Sequence, residues 1–333
     1  MKTEDYNYEL PKELIAQEPV KPRSASKLLV INGEKLEHKK FKDITNYLEE
    51  GDVLVLNETK VVPAKLIGKK STGAKAEIII TAKQGEYYKA RIATNKPRPG
   101  NTLIFEEELE ADILKQEKDI FYIKFNKENI EEYMEKHGKL PTPPYIQKEL
   151  EKNENYQTVY AKKEGSVAAP TAGFHFTPEL LQKIQEKGIK IAKVTLHVGF
   201  GTFLPIITEN IEEHNMEEEY YEITKENSEI INNCKGKLIA VGTTTLKTLE
   251  TASDENGKIQ ATKGWSNTFI KPGYKFKTKI KALITNFHTP KSTLLLLVCA
   301  FAGKQTIFNA YKEAVKQKYR FYSFGDATLL FKI

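Results

Sequence analysis

Apolar positions along the first sixty residues come in short blocks. Residues 27–31 (KLLVI) and 52–56 (DVLVL) are apolar on both faces, the pattern of strands buried inside a sheet. Between them, Asp43 can cap a helix running to residue 50, with Gly51 just past its end. Ahead of them, LPKELIAQEPVKPR reads as a short Pro-led helix and a Pro-bounded turn. From about residue 69 to 144 the texture changes. AEIIITA, EYYKARIA, TLIF, LEADIL and DIFYIKF are short β runs separated by Gly or charged turns, which predicts a small antiparallel barrel. The helical stretch ENIEEYMEKHG and the proline cluster LPTPPY close that unit.

After residue 157 the pattern becomes mixed α/β. Thr177, Pro178 and Gly188 bracket a helix, and residues 189–198 follow as a strand. Residues 237–241 (KLIAV) form a strand running straight into GTTTLKTLE, a helix start. Residues 282–286 (ALITN) form another, followed by FHTPKST and an apolar helix over 294–302 that Gly303 ends. A last amphipathic helix, 307–318, places Ile307, Phe308, Tyr311 and Val315 on one face. The expected fold is mixed α/β: a large α/β catalytic domain, discontinuous over residues 1–68 and 151–333, with a small antiparallel β-barrel domain, 69–150, inserted in it.

Composition narrows the class. With 40% hydrophobic and 10% aromatic residues the 333-residue chain can build a sizeable core, which excludes wholesale disorder. The longest uninterrupted apolar run, 294–302, is far short of a membrane span, and the start MKTEDYNYELP carries no apolar signal segment. Cys234 and Cys299 offer neither a disulfide framework nor a cysteine-rich zinc site. A reduced, cytoplasmic protein is expected.

Charge matters once it is divided along the chain. Residues 263–333 hold thirteen basic and two acidic side chains, whereas 209–232 hold nine Glu and one Lys. In KPGYKFKTKIK, with Lys271, Lys275 and Lys277, and in KQKYRFYSF, aromatic residues alternate with cations. That suits a phosphate backbone with unstacked bases, and a strand gives the same alternation. Only Arg23, Arg91, Arg98 and Arg320 among the 51 cationic residues are arginines, so Arg23 and Arg320 are candidates for sites that need a planar, bidentate donor. Residues 65–150 carry sixteen basic and fourteen acidic side chains, which does not decide whether the barrel touches RNA.

Candidate chemistry sits at three strand ends and one loop. VTLHVGFGTF puts His197 near the end of a strand, directed opposite to Val194, Leu196 and Val198, with Gly199, Gly201 and Thr202 behind it. Two glycines are not a dinucleotide fingerprint. LITNFHTPKST offers Asn286 and His288, then Lys291 and Ser292 at a helix N-terminus, a seat for a carboxylate or phosphate, without the glycine-rich loop of an NTPase. AVGTTTLKTLE presents Thr243 and Thr244 either to a ligand or as helix caps. GSVAAPTAGFHFTPELL gathers small residues, Thr171 and Gly173 among them, around His175. The histidine spacings match no common metal pattern.

Taken together, YELPKELIAQEPVKPR, LNETKVVPAKL, GSVAAPTAGFHFT, VTLHVGFGTF, AVGTTTLKTLE, ITNFHTPKSTLLLL and RFYSFGDATLL closely resemble the S-adenosylmethionine:tRNA ribosyltransferase-isomerase family of bacterial queuosine synthesis. The resemblance covers almost the whole chain and is weakest over 69–152. It implies a large α/β domain with a β-barrel insertion and no metal or true cofactor, S-adenosylmethionine being a consumed co-substrate. The partner it implies is a tRNA whose anticodon stem-loop carries 7-aminomethyl-7-deazaguanine at the wobble position; no membrane and no obligate protein partner are implied. The ribosyl part would be transferred and rearranged to epoxyqueuosine, with adenine and methionine leaving. Ser24, Lys60, Lys65, Lys247, Glu217 and Asn267 depart from the family pattern, while Glu219, His175, His197 and His288 match it.

The resemblance points to His175 and His197 for proton transfer, then His288 with Asn286. Lys291 and Ser292 would take the methionine carboxylate, and Gly199, Gly201 and the 171–173 loop would shape the nucleoside pocket. Arg23 and Arg320 would grip tRNA or substrate anions, and the lysines 271, 275 and 277 would bind tRNA. Two other classes compete. A non-catalytic tRNA-binding protein leaves the Gly/His strand ends unexplained, and an S-adenosylmethionine-dependent methyltransferase lacks its glycine-rich loop.

Overall fold

The apolar block at 27–31 lies in β1 (Lys27–Asn32), which turns into β2 (Lys35–Lys40) as an antiparallel hairpin. β3 (Val53–Asn57) is buried along its whole length, as a central strand covered on both faces should be. The computed structural model describes residues 1–333, and the chain forms two units: Met1–Lys60 with Pro143–Ile333, and Val61–Thr142.

After β4 (Thr59–Val61) come β5 (Lys65–Lys70), β6 (Lys75–Gln84), β7 (Tyr87–Ala93), β8 (Thr102–Ile104), β9 (Glu110–Glu117) and β10 (Ile120–Phe125). These six close into an antiparallel barrel in the order β10-β7-β6-β5-β8-β9, followed by α1 (Ile130–His137). Closure leaves no strand edge exposed. Alternate residues fill the interior, Ala76, Ile78 and Ile80 from β6 and Phe121, Ile123 and Phe125 from β10. The strand β5 opens the barrel at Lys65, ahead of the expected start at 69. Its sequence, KLIGKK, is too short of apolar residues to stand out as a strand.

The larger unit continues through β11 (Lys163–Ser166), which pairs with β4, then α2 (Pro178–Glu186), β12 (Lys190–Leu196), β13 (Glu219–Ile223) and α3 (Lys225–Asn232). It ends with β14 (Leu238–Val241), α4 (Thr243–Thr251), β15 (Thr262–Ser266), β16 (Ile280–Asn286), α5 (Thr293–Ala302), α6 (Lys304–Lys316) and β17 (Ala327–Phe331). Nine strands form one sheet in the order β15-β13-β12-β3-β14-β16-β17-β1-β2. The four central strands, β12, β3, β14 and β16, run parallel. Antiparallel pairs flank them, β12 with β13 on one side and β16 with β17 on the other. Leu28, Leu54, Leu56, Ile239, Ile284 and Leu329 from this sheet pack against Phe176, Leu180 and Ile184 of α2 and the turn before it. No single helix is long and apolar enough to cross a membrane.

Local signals worked where a specific side chain does the capping. The Thr177 hydroxyl accepts from Leu180 N at 3.3 Å, Pro178 is the first residue of α2, and Gly188 follows with a positive φ. The two expected helices before β3 are only 3₁₀ turns, Lys12–Leu14 and Phe41–Tyr47. Asp43 sits inside the second, where its carboxylate accepts from Lys40 N at 3.0 Å. In α6 the buried stripe is Ile307, Ala310, Tyr311 and Ala314, at the helical spacing i, i+3, i+4, i+7; Phe308 and Val315 are only half-buried at its flank.

Candidate active site

Because β12, β3, β14 and β16 are parallel, their carboxyl ends meet at one edge of the sheet, where open α/β folds place ligands. A cleft of about 600 Å³, open to solvent, lies there. Residues just beyond β12 (Val198, Thr202, Phe203), β14 (Gly242, Thr243, Thr244) and β16 (Asn286 to Thr289) wall it. Residues 169–172, Tyr145, Leu294, Tyr322 and Ser323 complete the wall. Asn57, fully buried at the end of β3, fixes one side: its amide bonds Leu196 O and N, both at 3.0 Å. Gly242, with φ near +92°, makes the turn from β14 into α4 that sets Thr243 and Thr244 against the cleft.

Of the three expected histidines, only His288 lines this cleft. Its Nε2 lies 3.1 Å from Thr285 Oγ1, its backbone N donates to Tyr311 OH at 3.0 Å, and Tyr8 OH donates to its carbonyl. Its Nδ1 has no protein partner. Burial pushes the ring down to about 3, so it is neutral.

His175 lies behind the cleft wall. It stacks on Phe41 and shares a 2.8 Å hydrogen bond between Nδ1 and Ser26 Oγ. Burial holds it at about 3, the Asn286 amide opposes that shift, and Arg23 and Arg320 add to it. His175 Nε2 and Asn286 Oδ1, both buried, fall short of full hydrogen-bond geometry with any partner, yet Asn286 lies near enough to the ring to favour its protonated form. Asn286 itself faces the cleft and is anchored by its Nδ2 on Tyr322 O at 2.9 Å.

His197 points away, as strand alternation requires when its neighbour Val198 faces the cleft. Its Nδ1 is 2.8 Å from Thr59 Oγ1, and its ring stacks on Tyr220, which meets the exposed Trp265 edge-on. Burial lowers its pKa, with Glu222 opposing and Lys163 reinforcing.

Among the expected binding residues, Thr171, Thr202, Thr243, Thr244 and Asn286 line the cleft, whereas Gly173, Gly199, Gly201, Lys291 and Ser292 do not. Gly173 lies against Tyr160 with no room for a Cβ. Gly199 N donates to Glu219 Oε1 at 2.8 Å, and a Cβ on Gly201 would meet Glu217 at 2.7 Å, so these glycines seat two glutamates. Ser292 is the N-cap of α5: fully buried, its hydroxyl accepts from Leu295 N at 3.1 Å and donates to Thr289 O at 2.7 Å. Lys291 forms an ion pair with Glu4 at 2.6 Å.

Both suspected arginines use their planar forks on the chain's own carbonyls. Arg23 donates to Gln157 O and Glu154 O, each at 2.7 Å, over the Phe174 ring. Arg320 donates to Phe324 O at 2.9 Å and to Glu18 O. In the basic run, Lys275, Lys277 and Lys279 are exposed and alternate with inward positions. Phe276 packs on Phe301, and Tyr274 OH bonds Glu250 at 3.3 Å, so the interleaved aromatics serve the fold and are not free to stack on bases. Lys271 lies over Phe269 and 3.8 Å from Glu212. No group of three or more His, Cys, Asp or Glu side chains gathers in a way that could hold a metal.

Over residues 3–330 the chain matches the family described as queuosine biosynthesis protein. It is 49% identical over 99% of its length to the whole S-adenosylmethionine:tRNA ribosyltransferase-isomerase of Acetivibrio thermocellus, and 50% identical to that of Thermoanaerobacter sp. (strain X514) over the same share. The crystal structure of S-adenosylmethionine tRNA ribosyltransferase from Thermotoga maritima is similar, with 36% identity, a TM-score of 0.55 and coverage of 98% of this chain and 99% of that one. The chain belongs to the queuosine biosynthesis protein family.

In this family member the departures noted in the sequence fall at defined places. Lys247 on α4 forms a buried ion pair with Glu219 at 2.9 Å, both side chains less than a tenth exposed. Lys60 pairs with Glu164 at 2.8 Å, and Asn267 is exposed. Tyr145, Tyr322 and Ser323 were not anticipated as cleft residues, although LPTPPY and RFYSFGD carried a signal in their dense aromatic and turn composition.

The two neutral histidines predict an acid sensitivity. A folded-state pKa near 3, below the ordinary value of about 6.5, means that the unfolded chain binds more protons between these limits. Stability is therefore retained above about pH 6.5 and falls as the pH drops from there toward 3, by about 1.4 kcal/mol per pH unit for each ring. Urea unfolding of wild type and of His175→Gln across this window checks it: the variant should lose part of the slope, and identical slopes contradict it.

Proposed function

We propose that this ribosyltransferase-isomerase of queuosine biosynthesis moves the ribosyl part of S-adenosylmethionine onto 7-aminomethyl-7-deazaguanine at the wobble position of a tRNA. The product is epoxyqueuosine-tRNA, with adenine and methionine released. S-adenosylmethionine is a consumed substrate in this reading. The single observation that carries it is the cleft at the parallel strand ends, which combines a neutral histidine, hydroxyls at the start of α4 and the amide of Asn286.

The reaction asks for a base at the carbon beside the sulfonium and an acid at the departing adenine. His288 is the side chain best placed for the first task, because it lies in the cleft. In the tautomer that donates Nε2–H to Thr285 Oγ1, its Nδ1 carries the free lone pair. A ring held at about 3 is a weak base in an empty cleft. With a sulfonium bound, however, the transfer only moves a positive charge from sulfonium to imidazole, so the burial penalty is not incurred a second time. Asn286, backed by His175, offers its Oδ1 to an N–H of the nucleoside. Thr243 and Thr244, with the first amides of α4, favour an electron-rich ligand edge.

The exposed Lys275, Lys277 and Lys279 offer the tRNA an electrostatic seat that does not involve the sequestered aromatics between them. Their contribution would be to backbone phosphates, independent of base sequence.

Two measurements test this reading. Adenine release from S-adenosylmethionine and premodified tRNA should fall by about 10²- to 10⁴-fold in His288→Ala and far less in His197→Ala. The reverse order would remove His288 from the chemistry, and release of S-adenosylhomocysteine from wild type would point to methyl transfer. Changing Lys275, Lys277 and Lys279 together to Glu should weaken tRNA binding and flatten its dependence on salt. An unaltered salt slope would place the nucleic-acid surface elsewhere.

A further inference from the structure

The cleft continues past Thr202, Thr243, Thr244 and Leu294 into a narrower hollow, also open to solvent. Its far walls are apolar, with Met216, Phe269 and Leu297. Two charged side chains also line it, Glu219 and Lys247, and they are the only ionised groups along either part of the cleft. The side chains that flanking sequence had suggested for a carboxylate, Lys291 and Ser292, are engaged with Glu4 and with the α5 cap.

A buried ion pair costs desolvation that one contact seldom offsets, so the remaining donors and acceptors need partners. Here the account is incomplete. Glu219 Oε1 accepts from Gly199 N at 2.8 Å and Oε2 from Lys247 Nζ at 2.9 Å. The ammonium of Lys247 has three N–H groups and spends one on Glu219, with no other protein acceptor.

We infer that the Glu219–Lys247 pair is an amino-acid zwitterion subsite: Lys247 takes the α-carboxylate and Glu219 the α-ammonium of a ligand whose aliphatic arm, between the α-carbon and the sulfur, lies along Met216, Leu294 and Leu297. Placing two charges of opposite sign against two of opposite sign leaves the hollow neutral and supplies the acceptors that Lys247 lacks. The hydroxyls of Thr243 and Thr244 stand where this hollow joins the larger cleft, so an adenosyl group there and a methionyl group here belong to one molecule. The inference deepens the proposed reaction and rests on it, assigning the methionine half of S-adenosylmethionine to a place apart from the reacting carbon.

Titration calorimetry with S-adenosylmethionine and with 5′-methylthioadenosine, which lacks the amino-acid group, separates this role from a structural one. Lys247→Met should weaken S-adenosylmethionine about tenfold or more and leave 5′-methylthioadenosine nearly unchanged, while Lys247→Arg keeps most of the affinity. Glu219→Gln should show the same selectivity and serves if Lys247→Met does not fold. Equal losses for both ligands would make the pair purely structural, and no loss for either would place the amino-acid group elsewhere. Wild-type protein that binds neither ligand and releases no adenine would overturn the reaction itself, and this subsite with it.

Discussion

Parallel pairing of β12, β3, β14 and β16 is the constraint from which the site follows. Parallel strands bring every carboxyl end to one edge of the sheet, and each chain segment leaving that edge must turn. Gly242 turns into α4, Asn286 leads into the His288 loop, and Val198 precedes the glycine turn that seats Glu219. Next to this block β13 and β17 run the other way, and the turn before β17 brings Tyr322 and Ser323 to the same edge. Asn57 locks the block from within, since its amide satisfies both backbone groups of Leu196 at the point where β12 leaves the sheet.

Much of this frame was legible because its signals are local. Blocks such as LLVI and VLVL, short, β-branched and bounded by polar residues, read as buried strands, and Thr177-Pro178 with Gly188 marks both ends of α2. The barrel strands β6 to β10 were visible through their alternation. β5 was not, because Gly68 and the lysines around it dilute the pattern. What a local pattern does not carry is which long-range partner a polar side chain finds. Lys291 reaches Glu4 and Arg23 reaches Gln157 O, contacts between segments far apart in the chain.

The histidines show the same division. Alternation along β12 set His197 opposite Val198, yet which of the two faces the cleft depends on where the helices pack. His175 falls behind Asn286, since the segment that carries it is held by Phe41 and Ser26. Scarce arginines did mark places needing a flat, forked donor, but those places are backbone carbonyls within the protein. Lys247 lies in GTTTLKTLE and Glu219 in the acidic stretch 209–232, and only the fold brings α4 and β13 together around a hollow.

The central claim is that chemistry takes place at the parallel strand ends, with the nucleoside between Thr243, Asn286 and His288. A crystal structure of the protein with S-adenosylmethionine bound tests it most directly. The account predicts the adenosyl group in the cleft walled by these residues, with the sulfonium within reach of His288. A ligand bound instead on the opposite face, beside His197 and Tyr220, would contradict it.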